Sequence, residues 1–168
     1  MPEDIAHPLR PKFLDEVVIH QIIDAIAHVV MDEFPIKRNT LHVVVLAPQK
    51  LVEGEYPNCS ITPYIAGERS YYPEEWTHNF KDIARSKANQ LWYGQNDGGC
   101  EIQPHLLCSG DTPNWGGVKR KGIVVACSGV EPYFDRMISG MVADGCIAMA
   151  RDNWETGGDK VNKVDSLT

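Results

Sequence analysis

The sequence has 168 residues, of which 43% are hydrophobic and 23% are charged, the proportions of a soluble globular domain with a substantial core. Its formal net charge is −7 at pH 7, so it has no basic excess to neutralise phosphates, and nucleic acid is excluded as a partner. No apolar run reaches membrane-spanning length and the first residues lack the basic start of a signal peptide, so we expect no membrane partner and a cytoplasmic location.

A single domain is expected over residues 1–168, in three parts. Residues 1–12 carry three prolines and predict an irregular arm, of the kind that covers a neighbouring subunit. Residues 13–151 contain the apolar periodicity and predict the globular core. Residues 152–168 are polar and predict a flexible tail, pinned only by Trp154.

The first part of the core predicts a long N-terminal helix followed by a strand. Residues 11–34 repeat apolar side chains at helical spacing, and Pro35 stops the pattern. Residues 41–47 are apolar on both faces apart from His42, which predicts a central strand that Pro48 ends. We interpret His42 as a satisfied core histidine rather than as a catalyst.

A second strand is predicted over residues 60–66. A single polar connection joins it to the first strand, so the two are expected to be antiparallel. Pro63 cannot donate a hydrogen bond to a neighbouring strand, which predicts an edge strand or a bulge.

The middle of the chain predicts a second helix and a short strand. The helix begins after Pro73, where acidic residues suit a first turn, and it ends at Gly94. Residues 101–108 predict a short edge strand that contains Pro104.

The last part of the core predicts a strand, a sharp turn and a long C-terminal helix. Residues 122–127 are a β-branched run bounded by glycine, typical of a strand buried on both faces. Pro132 suits the first position of the helix, because its missing N–H does no harm there. Between them, Ser128 and Gly129 lie beside first-turn N–H groups that attract anions. The alternative is that Ser128 only caps the helix and Gly129 only makes the turn.

Five cysteines at irregular spacings do not suggest a disulfide framework. Cys100, His105 and Cys108 are residue types that bind zinc, but they lack the paired C-x2-C knuckles of structural zinc sites. We therefore assign no metal site, and whether these three residues come together stays open.

The order of elements is helix, two strands, helix, two or three strands and long helix, which predicts an α+β domain with an antiparallel sheet. Three short motifs in this order resemble the GlcG/HbpS family, also described as the haem-degrading or PduO C-terminal-like domain. They are an A-x-x-K-A pattern on the middle helix, a Gly-Gly-aliphatic loop, and a Ser-Gly turn followed by an Asp. The matching residues are Ala84, Lys87 and Ala88; Gly116, Gly117 and Val118; and Ser128, Gly129 and Asp135.

The resemblance implies a profilin-like fold, with an antiparallel sheet of about five strands, a long N-terminal helix, a middle helix and a long C-terminal helix. It also implies a homo-oligomer that binds a small molecule, with haem as the candidate cofactor. No histidine lies inside a matched motif, so no haem ligand is assigned. Where the family usually continues its Gly-Gly loop with proline, this chain has Lys119, so its ligand is expected to differ.

Two functions follow from the same residues. The first is a binding protein that holds haem or another small molecule between the loop of Gly116 and Gly117 and the turn of Ser128 and Gly129. Its expected ligand-binding residues also include Arg69 and Lys87.

The second function is a cofactor-independent enzyme, an isomerase, tautomerase or lyase that moves a proton on a small anionic metabolite. The substrate carboxylate would bind at the N-terminus of the last helix, with Arg69 or Lys87 adding positive charge. Glu131, Asp135 or His105 would act as the general acid or base.

Overall fold

A computed structural model describes residues 7–52, 60–96 and 102–168. The strands in chain order are β1 (His7–Leu9), β2 (Leu41–Val52), β3 (Ser60–Tyr71), β4 (Gly117–Arg120) and β5 (Ile123–Ser128). The helices are α1 (Glu16–Glu33), α2 (Phe80–Trp92), α3 (Pro132–Thr156) and the short α4 (Gly158–Val161). Single 3-10 turns lie at Pro73–Glu75 and Pro104–Leu106.

The sheet is organised around β2, and every strand pair in it is antiparallel. β3 pairs along one edge of β2, while β5 and β1 follow one another along the other edge, and β4 pairs with β5. The α+β class with a five-stranded antiparallel sheet, a long first helix, a middle helix and a long C-terminal helix is therefore confirmed.

The period of two along β2 divides the core into two halves. Val43 and Val45 point to the face that α1 and α3 cover. Val44 and Leu46 point to the opposite face, where they pack against the buried residues of α2. Because both faces of the sheet are covered, the central strands are apolar on both sides, as the sequence of β2 predicted.

α1 begins at Glu16, later than residue 11, because Asp15 caps it. The Asp15 carboxylate accepts the N–H of Val18 at 2.8 Å. The buried residues of α1 recur every three or four positions and face the sheet; they are Ile19, Ile23, Ala27 and Val30.

Two predicted boundaries in the sheet are wrong. Residues 7–9 pair with β2 as β1, so this part of the predicted arm belongs to the chain's own sheet; residues 1–6 lie outside the described residues. Pro48 does not end β2, which continues to Val52. Pro48 lies opposite Pro63 of β3, so both missing N–H groups fall at one place in the ladder and the pairing resumes beyond it.

Three further boundaries differ. β3 continues to Tyr71, past the predicted end at residue 66. α2 begins at Phe80 rather than just after Pro73, because Asn79 caps it by accepting the N–H of Asp82 at 3.2 Å. Residues 102–108 hold a 3-10 turn instead of a strand, since Pro104 cannot donate to a ladder; residue 101 is not described.

The C-terminal tail is more ordered than predicted, because α3 continues to Thr156. Trp154 packs edge-on against Phe13 with ring centroids 5.5 Å apart, which fixes the end of α3 to the start of the chain. None of the helices in the described ranges is both long enough and apolar enough to cross a membrane.

Candidate functional site

A cavity of about 250 Å³ lies where α2, the turn after β5 and the first turn of α3 meet, and we call it the Lys87 pocket. The α2 side supplies His78, Phe80, Ile83 and Lys87, and the loop before β4 supplies Asn114. The remaining lining residues are the run Ser128, Gly129, Val130, Glu131 and Pro132, together with Asp135.

Lys87 is the only lysine among the buried residues of the described chain, and its position follows from the small residues around it. Ala84 and Ala88 bring α2 close to the sheet, so the side chain of Lys87 runs inward with 2% of its surface exposed. Its ammonium donates to the carbonyl oxygen of Cys127 at 2.8 Å and to Asp135 Oδ2 at 3.3 Å. A buried cation is thus held at the inner wall of the pocket.

Asp135 is the carboxylate partner of this cation, and it lies in the first turn of α3. Its Oδ1 accepts the N–H of Val130 at 3.2 Å, so both carboxylate oxygens have partners. Burial raises the pKa of Asp135, while the neighbouring Lys87 charge acts in the opposite direction. A carboxyl group with a raised pKa beside a cavity has the chemistry of a general acid or base.

The close approach of the backbone to the ion pair requires glycine at position 116, directly before β4. The φ of Gly116, +132°, is one that glycine adopts readily, and a Cβ there would lie 2.7 Å from Asp135 Cβ and 3.1 Å from Lys87 Nζ. Its carbonyl oxygen accepts the N–H of Cys127 at 3.3 Å and the hydroxyl of Ser139 at 3.2 Å. The glycine therefore allows the backbone to close directly over the ion pair.

Glu131 stands at the N-cap of α3 and makes no side-chain capping hydrogen bond. Its carboxylate instead forms an ion pair with Arg38 at 3.2 Å. The start of α3 therefore borders the pocket without a capping side chain, and it carries the positive end of the helix dipole.

Most of the predicted site residues come together here. Lys87, Ser128, Gly129, Glu131 and Asp135 line the pocket, and Gly116 lies against its ion pair. Gly117 lies one residue further, in β4, where a Cβ would meet the side chain of Leu91 at 2.6 Å. Gly117 therefore serves the packing of α2 on the sheet.

Two predicted site residues lie elsewhere. Arg69 points to the opposite face of the sheet, where its Nε lies 3.5 Å from Asp24 of α1. His105 is exposed in the 3-10 turn before β4 and does not line the Lys87 pocket. Neither residue adds to the charge of the pocket.

Three residues that line the pocket were not predicted from the sequence: His78, Phe80 and Asn114. His78 and Phe80 flank the α2 cap residue Asn79, and Asn114 belongs to the turn-rich loop before Gly116. The only signal for them is their position next to the ends of the elements that carry Lys87 and Gly116.

A second charged cluster lies on the same face of the sheet, around His42. His42 is 1% exposed, and its ring nitrogens lie 2.7 Å from Ser70 Oγ and 2.9 Å from Glu68 Oε2. Both nitrogens are therefore satisfied, which agrees with a core histidine. Arg85 of α2 forms a two-pronged hydrogen bond with Glu68.

The pKa values in this cluster follow from burial and pairing. Burial lowers the pKa of His42, although its hydrogen bond to the Glu68 carboxylate acts in the opposite direction. The Arg85 guanidinium lowers the pKa of Glu68 to about 2. At neutral pH the cluster therefore holds an ionised pair beside a neutral imidazole.

The predicted lack of a metal site remains a prediction, because Cys100 lies outside the described residues. Within the ranges that are described, no group of three His, Cys, Asp or Glu residues could hold a metal ion. Cys108 is an exposed free thiol, and its backbone N–H is bound by the Asp111 carboxylate at 2.8 Å.

No protein-family model, no curated protein and no solved structure matches this chain. The resemblance to the GlcG/HbpS family therefore stays a prediction, and the chemistry of the Lys87 pocket has to be interpreted from its own residues.

Proposed function

We propose that this chain is a small-molecule binding protein and that its ligand is a small anion held in the Lys87 pocket. The observation that carries the proposal is the convergence of two positive groups on one cavity, the buried Lys87 ammonium and the uncapped N-terminus of α3. Both attract a carboxylate or a similar anion.

The hydrogen-bonding capacity of Lys87 supports this proposal. An ammonium has three donors, and the Cys127 carbonyl and Asp135 accept two of them. The third donor is available to a ligand oxygen. Because the Lys87 side chain is buried, such a charge-assisted hydrogen bond is stronger there than at the surface.

The size of the pocket favours a metabolite of few atoms over haem. Pockets for drug-sized ligands occupy roughly 300 to 1,000 Å³, and the Lys87 pocket measures about 250 Å³. A macrocycle as large as haem would have to displace the lining of α2. The polar groups of the cavity, including Asn114 and Ser128, also suit a small polar ligand.

The alternative function, proton transfer on a small anionic metabolite, is favoured by the position of Asp135, which lines the pocket 3.3 Å from Lys87 and whose pKa is raised by burial. In this mechanism Lys87 and the α3 N-terminus hold the substrate carboxylate or enolate oxygen. Asp135 then takes a proton from the neighbouring carbon and returns it to another atom, as in an isomerase or tautomerase. Lys87 stabilises the negative charge that develops.

Calorimetric titration with pyruvate, malonate and succinate tests the binding proposal. We expect saturable binding of at least one of them, weakened about tenfold or more by Lys87→Gln, since one charge-assisted hydrogen bond and one charge are lost. Lys81→Gln is the matched control, because Lys81 is an exposed lysine on the same helix. Circular dichroism establishes that each variant is folded.

A second variant keeps the test decisive where Lys87→Gln does not fold. Asn114→Ala removes an exposed side chain from the pocket lining, and we expect it to weaken the same ligand without unfolding the chain. Binding that neither variant changes, or no binding of any carboxylate, contradicts the proposal.

The two functions differ in the fate of the bound ligand. If the site transfers protons, pyruvate methyl protons exchange with deuterium oxide in the presence of the protein, as followed by proton NMR. Asp135→Asn should abolish that exchange while leaving binding. Binding without any exchange would support the binding function and contradict proton transfer.

Haem binding is tested separately, because the family resemblance implies haem as a ligand. The pocket volume leads us to expect no saturable Soret shift on haem titration. A one-to-one shift that His78→Ala abolishes would instead support haem at this site, and a shift that His105→Ala abolishes would place haem outside the pocket.

The resemblance also supports a homo-oligomer, and the cytoplasmic location stays a prediction. Exposed apolar side chains on α3 agree with a subunit contact, since Tyr133 and Met149 are 59% and 39% exposed. Sedimentation velocity of the wild type and of Tyr133→Lys would test it. A wild type that sediments as a monomer at all concentrations contradicts this part of the proposal.

A further inference from the structure

A second cavity, of about 480 Å³, lies on the face of the sheet that α1 and α3 cover, and we call it the Trp154 cavity. It is bounded by the start of the described chain, the turn between β4 and β5 and the C-terminal half of α3. Its volume lies within the range of natural ligand pockets. The residues that matter for its chemistry are Phe13, Leu14, Ile123, Cys146, Ile147 and Trp154.

The walls of the Trp154 cavity are apolar and firmly held. Leu14, Ile123 and Cys146 are buried core residues. Burial raises the pKa of Cys146 to about 12, so the thiol stays neutral and acts as a small hydrophobic group. Phe13 and Trp154 meet edge-on at 5.5 Å and close one end of the cavity.

The charges at the mouth of this cavity are all positive. Lys12, Lys121 and Arg151 line it, and no acidic residue is among its described lining residues, although the whole chain carries a net charge of −7. Lys12 is neutralised by Asp159 at 2.6 Å. The positive charge that is left comes from Lys121 and Arg151.

Neither of these two cations is fully neutralised by the protein. Arg151 lies 3.6 Å from Glu155, but that carboxylate is also paired with Lys160, so two cations share one anion. Lys121 is exposed, and within the described ranges it has no carboxylate partner. An anionic group that entered between them would complete the charge balance.

The backbone at Lys121 is strained. Lys121 and Gly122 form the two-residue turn between β4 and β5 with φ values of +46° and +88°, the pattern of a type I′ turn. Asparagine and glycine are preferred at the first of these positions, and a lysine there costs conformational free energy. Strain of this kind concentrates where a side chain serves a function.

We propose that the Trp154 cavity binds an amphipathic carboxylate, with its hydrocarbon chain in the apolar interior and its carboxylate on Lys121 and Arg151. Apolar walls with cations confined to the mouth match a ligand that is apolar along its length and anionic at one end. This site is independent of the Lys87 pocket, since the two cavities share none of their described lining residues.

Calorimetric titration with hexanoate, octanoate and decanoate, each below its micelle-forming concentration, tests the proposal. We expect one-to-one binding that tightens about fourfold for each buried methylene, the equivalent of ~0.8 kcal/mol. We expect 1-decanol to bind about tenfold or more weakly than decanoate, because it carries no charge.

Lys121→Gly separates the function of the lysine from its structural effect. It removes the positive charge and relieves the positive φ, so we expect decanoate to bind about tenfold more weakly while the thermal midpoint of the protein rises. Lys163→Gly is the matched control. Lys163 is also an exposed lysine with positive φ, at +52°, but it does not line the cavity. It should gain stability without a change in decanoate affinity.

Ala150→Phe fills the cavity from α3 and should abolish decanoate binding, with the helical circular dichroism signal retained. Several results overturn the proposal: no saturable binding, equal affinity for decanoate and decanol, or binding that both Lys121→Gly and Ala150→Phe leave unchanged. Binding of the protein only to anionic phosphatidylglycerol vesicles, without uptake of free decanoate, also overturns it in favour of a membrane surface contact.

Discussion

Arg85 and Lys87 lie two residues apart on α2, and each binds one carboxylate on the same face of the sheet, yet their surroundings differ. The side chains of Lys87 and Asp135 are 2% and 4% exposed and border a cavity. Those of Arg85 and Glu68 are 38% and 23% exposed at the open side of β3. The outer pair is satisfied by its own hydrogen bonds, whereas Lys87 of the inner pair lines a cavity and donates to two acceptors, the Cys127 carbonyl and Asp135.

Under the proposed function, the charge of Arg85 serves the fold and the charge of Lys87 serves a ligand. Burying two ions costs desolvation free energy that their attraction often only offsets, so a buried pair is weak evidence for stability. An exposed pair costs less to form and contributes less. The inner pair therefore needs a reason other than stability, and the Lys87 pocket provides one.

Breaking the inner pair should have the largest effect. Lys87→Met leaves Asp135 buried without its cation, and we expect the free energy of unfolding, measured by urea denaturation, to fall by about 3 to 5 kcal/mol. Arg85→Met, two residues away, should cost about 1 kcal/mol. A smaller loss for Lys87→Met than for Arg85→Met would reverse the assignment of the two pairs.

The double variant Lys87→Met with Asp135→Asn sharpens this result. It removes both charges and keeps the oxygen that accepts the N–H of Val130, so most of the lost stability should return. If the two single losses simply add, the two side chains are not coupled in the folded protein.

Adding a methyl group over the inner pair should have the next largest effect. Gly116→Ala places a Cβ against Asp135 and Lys87 and strains the backbone, at a cost of about 3 kcal/mol in thermal or urea unfolding. Gly110→Ala is the control, since Gly110 also has positive φ but nothing within 4 Å of the added Cβ. Equal costs for the two would show that only backbone strain matters at Gly116.

The stability contributed by the His42 cluster and that contributed by Asp135 should change in opposite directions as the pH falls. The folded-state pKa of Glu68 is about 2 against 4.5 in the unfolded chain, so its contribution is complete above pH 4.5 and falls as the pH drops towards 2. Asp135 has a raised pKa in the folded state, so its protonation favours folding as the pH falls. His42, whose pKa is lowered, adds to the acid loss below about pH 6.5.

Urea midpoints measured between pH 7 and pH 3 would test these signs. The Glu68 contribution is about 1 to 2 kcal/mol after allowance for its partial exposure. Glu68→Gln should flatten the acid loss, and Asp135→Asn should steepen it. A steeper profile for Glu68→Gln would contradict the pairing with Arg85.

Ser139→Ala should have the smallest effect. The Ser139 hydroxyl lies 2.7 Å from the carbonyl of Asp135 and 3.2 Å from that of Gly116. Both carbonyls keep other partners, so we expect a loss of about 1 kcal/mol or less in urea unfolding. A loss as large as that of Lys87→Met would mean that this hydroxyl, rather than the ion pair, organises the inner cluster.

Local patterns in the sequence predicted the central strand, the three long helices and most of the inner cluster. Apolar runs and helical spacing depend on neighbouring residues, so residues 41–47 and the start of α3 at Pro132 could be recognised directly. The Ser128 turn and Asp135 are close in sequence to that start, and therefore came together as expected.

Arg69 lies away from the Lys87 pocket because β3 continues to Tyr71, past the predicted end at residue 66, and a β-bulge within it sets the face on which Arg69 lies. Val45 pairs with Gly67 and Leu46 with Ile65, so Ala66 is an extra residue in β3. Residues an odd number apart in a regular strand point to opposite faces, yet Tyr64 and Arg69, five apart, both face α1 and α3. The bulge between them shifts the alternation by one residue. The unpaired residue Ala66 therefore determines that the Arg69 side chain lies on the face of the sheet that α1 covers.

The strand predicted around His105 was wrong for a different reason. The region between Gly94 and Gly116 has weak periodicity, and its one regular feature in the described part is the 3-10 turn at Pro104–Leu106. Turn-rich segments are positioned by contacts with distant residues. The hydrogen bonds that Gln90 forms with the backbone of Thr112 are an example that no local pattern could have predicted.

The order in which strands pair with β2 affects how the chain folds while the ribosome synthesises it. β2 and β3 form a local hairpin, but the partner of His42 on the other edge is Ser128, 86 residues later in the chain. Long-range pairing of this kind folds slowly, and domains emerge from the ribosome at roughly 5 to 20 residues per second. The apolar edge of β2 therefore stays open for several seconds in each new chain, and it is the place where two nascent chains would first aggregate.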